Sequence, residues 1–256
     1  MKGRSAQRLA RLQDVLNRGG TIHLSEAARL CGVSEMTIRR DVAASDGAMT
    51  FLGGRLVMAD NPQYAPLYDL DTEQGSHSLA KQRLCQGAAA FIEDGDTLFI
   101  DCGTTLMPLA SLLGTADKHV TVVTYALNVA NAVGHLPNVR LVLLGGLFYA
   151  SSLSFGSEDM LQAIRRLGIN KAFISAAGMH VERGVSCFHF HEVVPKQAAI
   201  ASAMQRILVC DDSKLGVVRP AYFARLNEFD VIVTDGNADA VLREGLPGHT
   251  PRIVGV

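Results

Sequence analysis

The chain has 256 residues, 48% of them hydrophobic and 19% charged, with a formal net charge of −1. These values exclude a disordered or fibrous chain and fit a globular protein of one large domain or two smaller ones. No apolar run approaches the roughly 18 residues of a membrane span, and the N-terminal "MKGRSAQRLARLQDVLNRGG" lacks the continuous apolar region of a signal peptide. Five scattered cysteines without a C-x-x-C pair speak against a disulfide framework or a zinc ribbon. The expectation is a cytoplasmic protein with reduced thiols and no membrane contact. Its near-neutral charge hides an asymmetry. Residues 1–58 carry nine Lys/Arg against five Asp/Glu, and residues 59–256 carry fifteen against twenty, so the N-terminal part is suited to a polyanion.

Residues 5–17 place Leu9, Leu12, Val15 and Leu16 on one helical stripe with Arg8 and Arg11 off it. In "HLSEAARLCGVSEMTIRRDV", Ser25 is the expected N-cap of a short helix through Leu30, Cys31-Gly32-Val33 a tight turn, and Ser34 the cap of a second helix. Val33 and Ile38 stand at hydrophobic-staple spacing, and Thr37 leaves the capping box incomplete. Two helices joined by a glycine turn form the helix-turn-helix pattern, whose second helix enters the DNA major groove. At 100° per residue Ile38 and Val42 face inward, while Met36, Thr37 and Arg40 face outward between Glu35 and Arg39. With Ser34 these are the expected DNA-facing residues: arginine bonds guanine or phosphate, and threonine bonds phosphate or touches a thymine methyl. "MTFLGGRLVM" (49–58) predicts a two-stranded wing turning at Gly53-Gly54, with Arg55 available to the DNA backbone.

"ADNPQYAPLYDL" (59–70) has no helical or strand period and contains an Asn-Pro step. It predicts a linker, 59–72, between a DNA-binding domain, 1–58, and a second domain, 73–256. There, apolar runs alternate with helix-length segments: 97–101, 120–124, 139–145, 171–175, 206–211 and 230–235. That alternation predicts an α/β domain whose mostly parallel sheet is covered on both faces.

The polar residues cluster after these strands. Asp101, Cys102, Gly103, Thr104 and Thr105 sit between a strand end and a helix start, either a phosphate cradle or a tight turn capped by threonine. Lys214, in "DDSKLG", would supply a point charge to the same phosphate or be a solvated loop lysine. Gly145-Gly146 either lets a ligand approach the backbone or makes a plain turn. Glu192 and Lys196, four apart, either bond sugar hydroxyls or form a helical ion pair. In "CFHFHE", an extended backbone puts Cys187, His189 and His191 on one face, a zinc-like spacing without an evident fourth ligand; neither metal nor cofactor is expected.

"GVSEMTIRRD", "DCGTT", "SAAGMHVERGVSCF" and "DDSKLGVVRPA" resemble the DeoR family of bacterial repressors through nearly the whole chain. The resemblance implies a winged helix-turn-helix joined to an α/β sensor domain similar to ribose-5-phosphate isomerase, with a phosphorylated sugar as inducer. Where the isomerases carry loop aspartates, this chain has Ser175-Ala176-Ala177-Gly178; Ala177 and Gly178 then line a site without the carboxylates an isomerase needs. Where many relatives have a polar pair such as Asn-Ser, Tyr125-Ala126 stands, which fits a less hydroxylated sugar such as deoxyribose 5-phosphate. The expectation is therefore a homo-oligomeric repressor of sugar or deoxynucleoside catabolism on a double-stranded DNA operator, in which Asp101 and Glu192 orient sugar hydroxyls. Effector and operator weaken each other's binding equally. The alternative is an isomerase-like enzyme with an accessory DNA-binding domain.

Overall fold

A computed structural model describes residues 2–19, 21–43, 49–52, 55–58, 78–236, 238–245 and 251–256. The chain divides into two compact units, Met1–Asp69 and Leu70–Val256. The expected linker and the wing turn at Gly53-Gly54 lie outside the described residues.

The first unit runs α1 (Lys2–Gly19), β1 (Thr21–His23), α2 (Leu24–Cys31), α3 (Glu35–Ala43), β2 (Met49–Leu52) and β3 (Arg55–Met58). The three strands form an antiparallel sheet in the order β1-β3-β2; β1 extends the expected two-stranded wing. Leu12 and Leu16 of α1, Ala27 of α2, Ile38 and Val42 of α3 and Leu56 of β3 share one apolar core. The start of α2 differs from expectation. β1 runs directly into the helix, so His23 is the last extended residue and takes the capping role expected of Ser25: its Nδ1 accepts from the Ser25 N–H at 3.4 Å, while Glu26 accepts from the His23 N–H at 3.3 Å. Gly32 ends α2 at φ +63°, a left-handed conformation that glycine adopts without a Cβ penalty.

The second unit begins with α4 (Ser78–Ala89), β4 (Thr97–Ile100), α5 (Met107–Leu112), β5 (Val120–Thr124), α6 (Leu127–Val133) and β6 (Val139–Leu143). A hairpin, β7 (Leu147–Tyr149) and β8 (Ser154–Gly156), leads to α7 (Met160–Arg165) and β9 (Ile169–Ser175). Then follow β10 (Gly178–His180), β11 (Gly184–Cys187), α8 (Val193–Ser202), β12 (Ala203–Val209), β13 (Ala221–Ala224), β14 (Val231–Thr234), α9 (Ala238–Gly245) and β15 (Arg252–Gly255). Seven strands make one parallel sheet in the order β15-β14-β12-β9-β4-β5-β6. Six are the apolar runs read from the sequence, and β15 is the seventh. β10, β11 and β13 form a separate antiparallel sheet.

From β4 the chain steps toward β6, and from β9 it steps toward β15. Right-handed crossovers running to opposite edges place their helices on opposite faces. The loops after β4 and β9 therefore diverge, and between them lies the crevice where parallel α/β sheets bind ligands.

Candidate functional site

On α3, Ser34 and Thr37 close the helix start: the Thr37 N–H donates to Ser34 Oγ at 3.3 Å and the two hydroxyls lie 3.0 Å apart. Glu35, Met36, Arg39 and Arg40 are exposed, Met36 to 59%, and Thr37 is half-buried. Arg55 opens β3 opposite Leu52, its side chain lying outside the described ones. The sequence reading missed Asp41. It lies three residues after buried Ile38, so helical geometry turns it inward, where Arg8 of α1 grips it with Nε at 2.6 Å and Nη2 at 3.0 Å, and Ser5 donates at 2.6 Å. The Arg8 hydrogen bonds, with help from Ser5, outweigh burial and hold the Asp41 carboxyl below its ordinary value.

In the second unit the crevice between β4 and β9 is closed by a buried network. Asp101 is fully buried and accepts four hydrogen bonds: Tyr125 OH at 2.6 Å, the Ser175 N–H at 3.0 Å, Ser175 Oγ at 2.6 Å, and the Lys196 ammonium. Burial alone would raise its pKa, but the Lys196 charge and these bonds lower it. Lys196 also donates to the Ser175 carbonyl at 3.1 Å and lies 3.8 Å from Glu192. Glu192 is 7% exposed; burial, and repulsion from Asp101, push it up to about 7 against the pull of Lys196. Cys102 Sγ lies 3.1 Å from Tyr125 OH, and burial with the charges of Glu192 and Asp101 keeps it a neutral thiol. These four bonds all go to protein groups and tie the loop after β4 to β5, β9 and α8.

Beyond this network the loop presents Thr104. Gly103 passes so close to Ser175 that a Cβ would stand 1.9 Å from its Oγ. Thr104 and Thr105 are each 6% exposed. Lys81 of α4, only 3% exposed, donates from Nζ to Thr104 Oγ1 at 3.1 Å. Lys81 and Thr104 together line a cleft of about 500 Å³ between α4 and α5. Nothing in "SLAKQRLCQG" distinguishes this lysine from a solvated one.

The remaining expected residues are spread along the same edge. Gly146, at φ +147°, lies against Gly156, whose carbonyl oxygen would be 2.3 Å from a Cβ; this close approach belongs to the β7–β8 hairpin. Gly145 follows the edge strand β6, and Lys214 sits half-buried in the turn after β12. Four strand spacings separate those two loops, about 19 Å, more than a five-carbon sugar phosphate spans. Ala177 is tied by its N–H to the Ser186 carbonyl and by its carbonyl to Arg219 Nε at 3.3 Å. Gly178 leaves only 2.5 Å between a would-be Cβ and the Val217 carbonyl.

The Cys187 to His191 stretch is not assembled as a zinc site. Cys187 donates to the carbonyls of His189 and Ala221, while His191 stacks on Tyr149 at 3.7 Å between centroids and meets Ser152 Oγ at 3.0 Å. Among the described residues no group of three His, Cys, Asp or Glu side chains is arranged to hold a metal ion, and no helix is long and apolar enough to cross a membrane.

Residues 76–236 match the DeoR C terminal sensor domain, and residues 8–53 match the DeoR-like helix-turn-helix domain. The deoxyribose operon repressor of Escherichia coli K12 is 38% identical over 237 residues, 92% of each chain. The HTH-type transcriptional regulator IolR of Bacillus subtilis is 29% identical over 234 residues, 91% of this chain and 92% of that one. Ribose 5 phosphate isomerase A from Neisseria gonorrhoeae superimposes with a TM-score of 0.41 at 12% identity, over 53% of this chain and 52% of that one; no residue role is carried across so loose a likeness.

Proposed function

The chain belongs to the DeoR family of DNA-binding transcriptional repressors, and from that premise we propose that a phosphorylated sugar binds its sensor domain and weakens its hold on a DNA operator. Deoxyribose 5-phosphate is the first choice, because the 38% identical relative is a deoxyribose operon repressor. The reading is of a regulator and not an enzyme, and nothing in it needs a cofactor.

The observation that carries the reading is the Lys81 ammonium on the Thr104 hydroxyl at the head of the β4 loop. A buried cation beside a hydroxyl offers a phosphate both a charge and a hydrogen bond. In this reading Thr105, beside Thr104 in the same loop, and Lys214, in the turn after β12, are further phosphate contacts. On the DNA side, Arg39, Arg40, Met36, Thr37 and Ser34 contact the operator, Arg55 supports from the wing, and two or more copies occupy paired half-sites in the cytoplasm.

Thermal unfolding of wild type, Lys81→Met and Lys214→Ala with deoxyribose 5-phosphate, ribose 5-phosphate and unphosphorylated deoxyribose tests this. A ligand at a hundredfold its Kd stabilises by about 2.7 kcal/mol, a shift of several degrees. Phosphorylated sugars shift wild type and fail with Lys81→Met. Equal shifts from deoxyribose and its phosphate would remove the phosphate from the reading.

A further inference from the structure

We propose that the cleft between α4 and α5 holds the hydroxyl-bearing chain of the effector, and that Gln82 and Gln86 read those hydroxyls. The inference rests on the phosphorylated-sugar reading and adds the direction in which the sugar lies and the side chains that choose it.

Space and bonding decide the direction. On the sheet side of Thr104, Asp101, Tyr125 and Lys196 are at most 1% exposed and bonded to one another. A sugar entering there would have to break a buried ion pair. On the helix side, Thr104 and Lys81 border open volume, about 500 Å³, within the range of small-molecule sites. A phosphate held on these two groups therefore has room for its ester oxygen and carbon chain toward α4 and α5.

The lining fits that occupant. Among the described residues that border the cleft, Lys81 is the charged one, and its sign suits an anion. Met107 and Leu112 give apolar surface for the C–H face of a sugar, and a deoxy position suits that surface better than a hydroxyl does. Gln82 and Gln86 lie four apart on α4, one above the other on the same face. Neither amide has a protein partner among the described residues, and each offers a donor and an acceptor, as a sugar hydroxyl does. The hydroxyls on the opposite wall are committed as donors, Ser111 to the Met107 carbonyl at 3.3 Å and Thr115 to the Leu112 carbonyl at 3.1 Å. With the Ser78 hydroxyl at the start of α4, the amides are the groups left to meet a hydroxyl, and each amide offers both a donor and an acceptor.

Calorimetric titration of the full chain with deoxyribose 5-phosphate, ribose 5-phosphate and inorganic phosphate tests the proposal, using wild type, Gln82→Leu, Gln86→Leu, the double variant and Tyr125→Phe. Unfolding curves confirm that each variant is folded. The double variant is expected to lose tenfold or more in affinity for both sugar phosphates and to bind inorganic phosphate as wild type does. At least one single variant changes the preference between the two sugars, and Tyr125→Phe leaves that preference as it was. Wild-type affinities in the double variant, or a preference that follows Tyr125→Phe, would overturn the assignment of the cleft. If wild type binds neither sugar phosphate, the sensor reading itself fails, a different result that removes the cleft assignment with it.

Discussion

Lys196 sits on Asp101 with both side chains almost wholly out of water, 2% and 0% exposed, and the Ser175 carbonyl takes a second hydrogen bond from the same ammonium. The pair joins the loop after β4 to helix α8 across the crevice. Removing one partner strands a buried charge, which costs about 3–5 kcal/mol, on the order of 10 °C in a chain of this size. Lys196→Met is expected to lose that much in thermal unfolding, and Lys196→Met with Asp101→Asn to recover most of it. A single variant within about 1 kcal/mol of wild type would show that the pair behaves as a solvated one.

Glu192 sets a pH dependence of definite sign. Its folded pKa is raised to about 7 from an ordinary 4.5. Between these values the folded protein holds a proton that the unfolded chain has released, so this contribution is full below pH 4.5 and is lost as pH rises through about 7. His191 acts oppositely: burial, with repulsion from His189, lowers it to about 4 from 6.5, so its contribution is present above pH 6.5 and is lost as pH falls. The clean readout is the difference between wild type and Glu192→Gln. The melting temperature of wild type relative to the variant should fall from pH 4.5 to 7; a flat difference would mean that Glu192 titrates normally.

Asp41→Asn separates positioning from charge. Removing a negative charge from the DNA-binding unit favours any polyanion, yet it also frees Arg8 from the clamp that ties α3 to α1. The expected outcome is weaker binding to the operator with equal or tighter binding to random DNA, read by fluorescence anisotropy on both duplexes. If both affinities rise together, the clamp does not orient the helix.

Arg40→Ala, on the exposed face of α3, is expected to weaken operator binding. A phosphate contact would lower the salt slope of log K by about one and spare sequence preference. A guanine contact would cost about 1–3 kcal/mol and relax a single base position. Titrations at several salt concentrations against single-base operator variants distinguish the two.

The six apolar runs announced the parallel sheet because strands buried on both faces leave no room for alternation. The short ribbons β7–β8 and β10–β11 were not legible: each has three or four residues, among them Gly156, Gly178 and Gly184, too few to show a period. The glycine turn and the stripe on α1 disclosed the helix-turn-helix, while the His23 cap escaped because histidine is an uncommon residue there. Asp101 stood out as a polar strand end, but its engagement by Tyr125 and Ser175 depends on which strands are neighbours. Lys81 is the sharpest case. Its burial comes from the packing of α4 over the β4 loop, a tertiary fact with no mark in the surrounding residues.

The Ser175 amide donates to the Asp101 carboxylate between two central strands of the sheet. Such a proton meets solvent only when the crevice itself parts, so its isotope exchange runs at the rate of the deepest opening of the domain. Amides near the surface, by contrast, exchange through local fraying. An effector that merely lies against the outer helices would slow exchange around α4 and leave Ser175 unchanged. One that draws β4 and β9 together would slow Ser175 as well, and a single backbone proton thus tells a passive ligand from one that tightens the sheet.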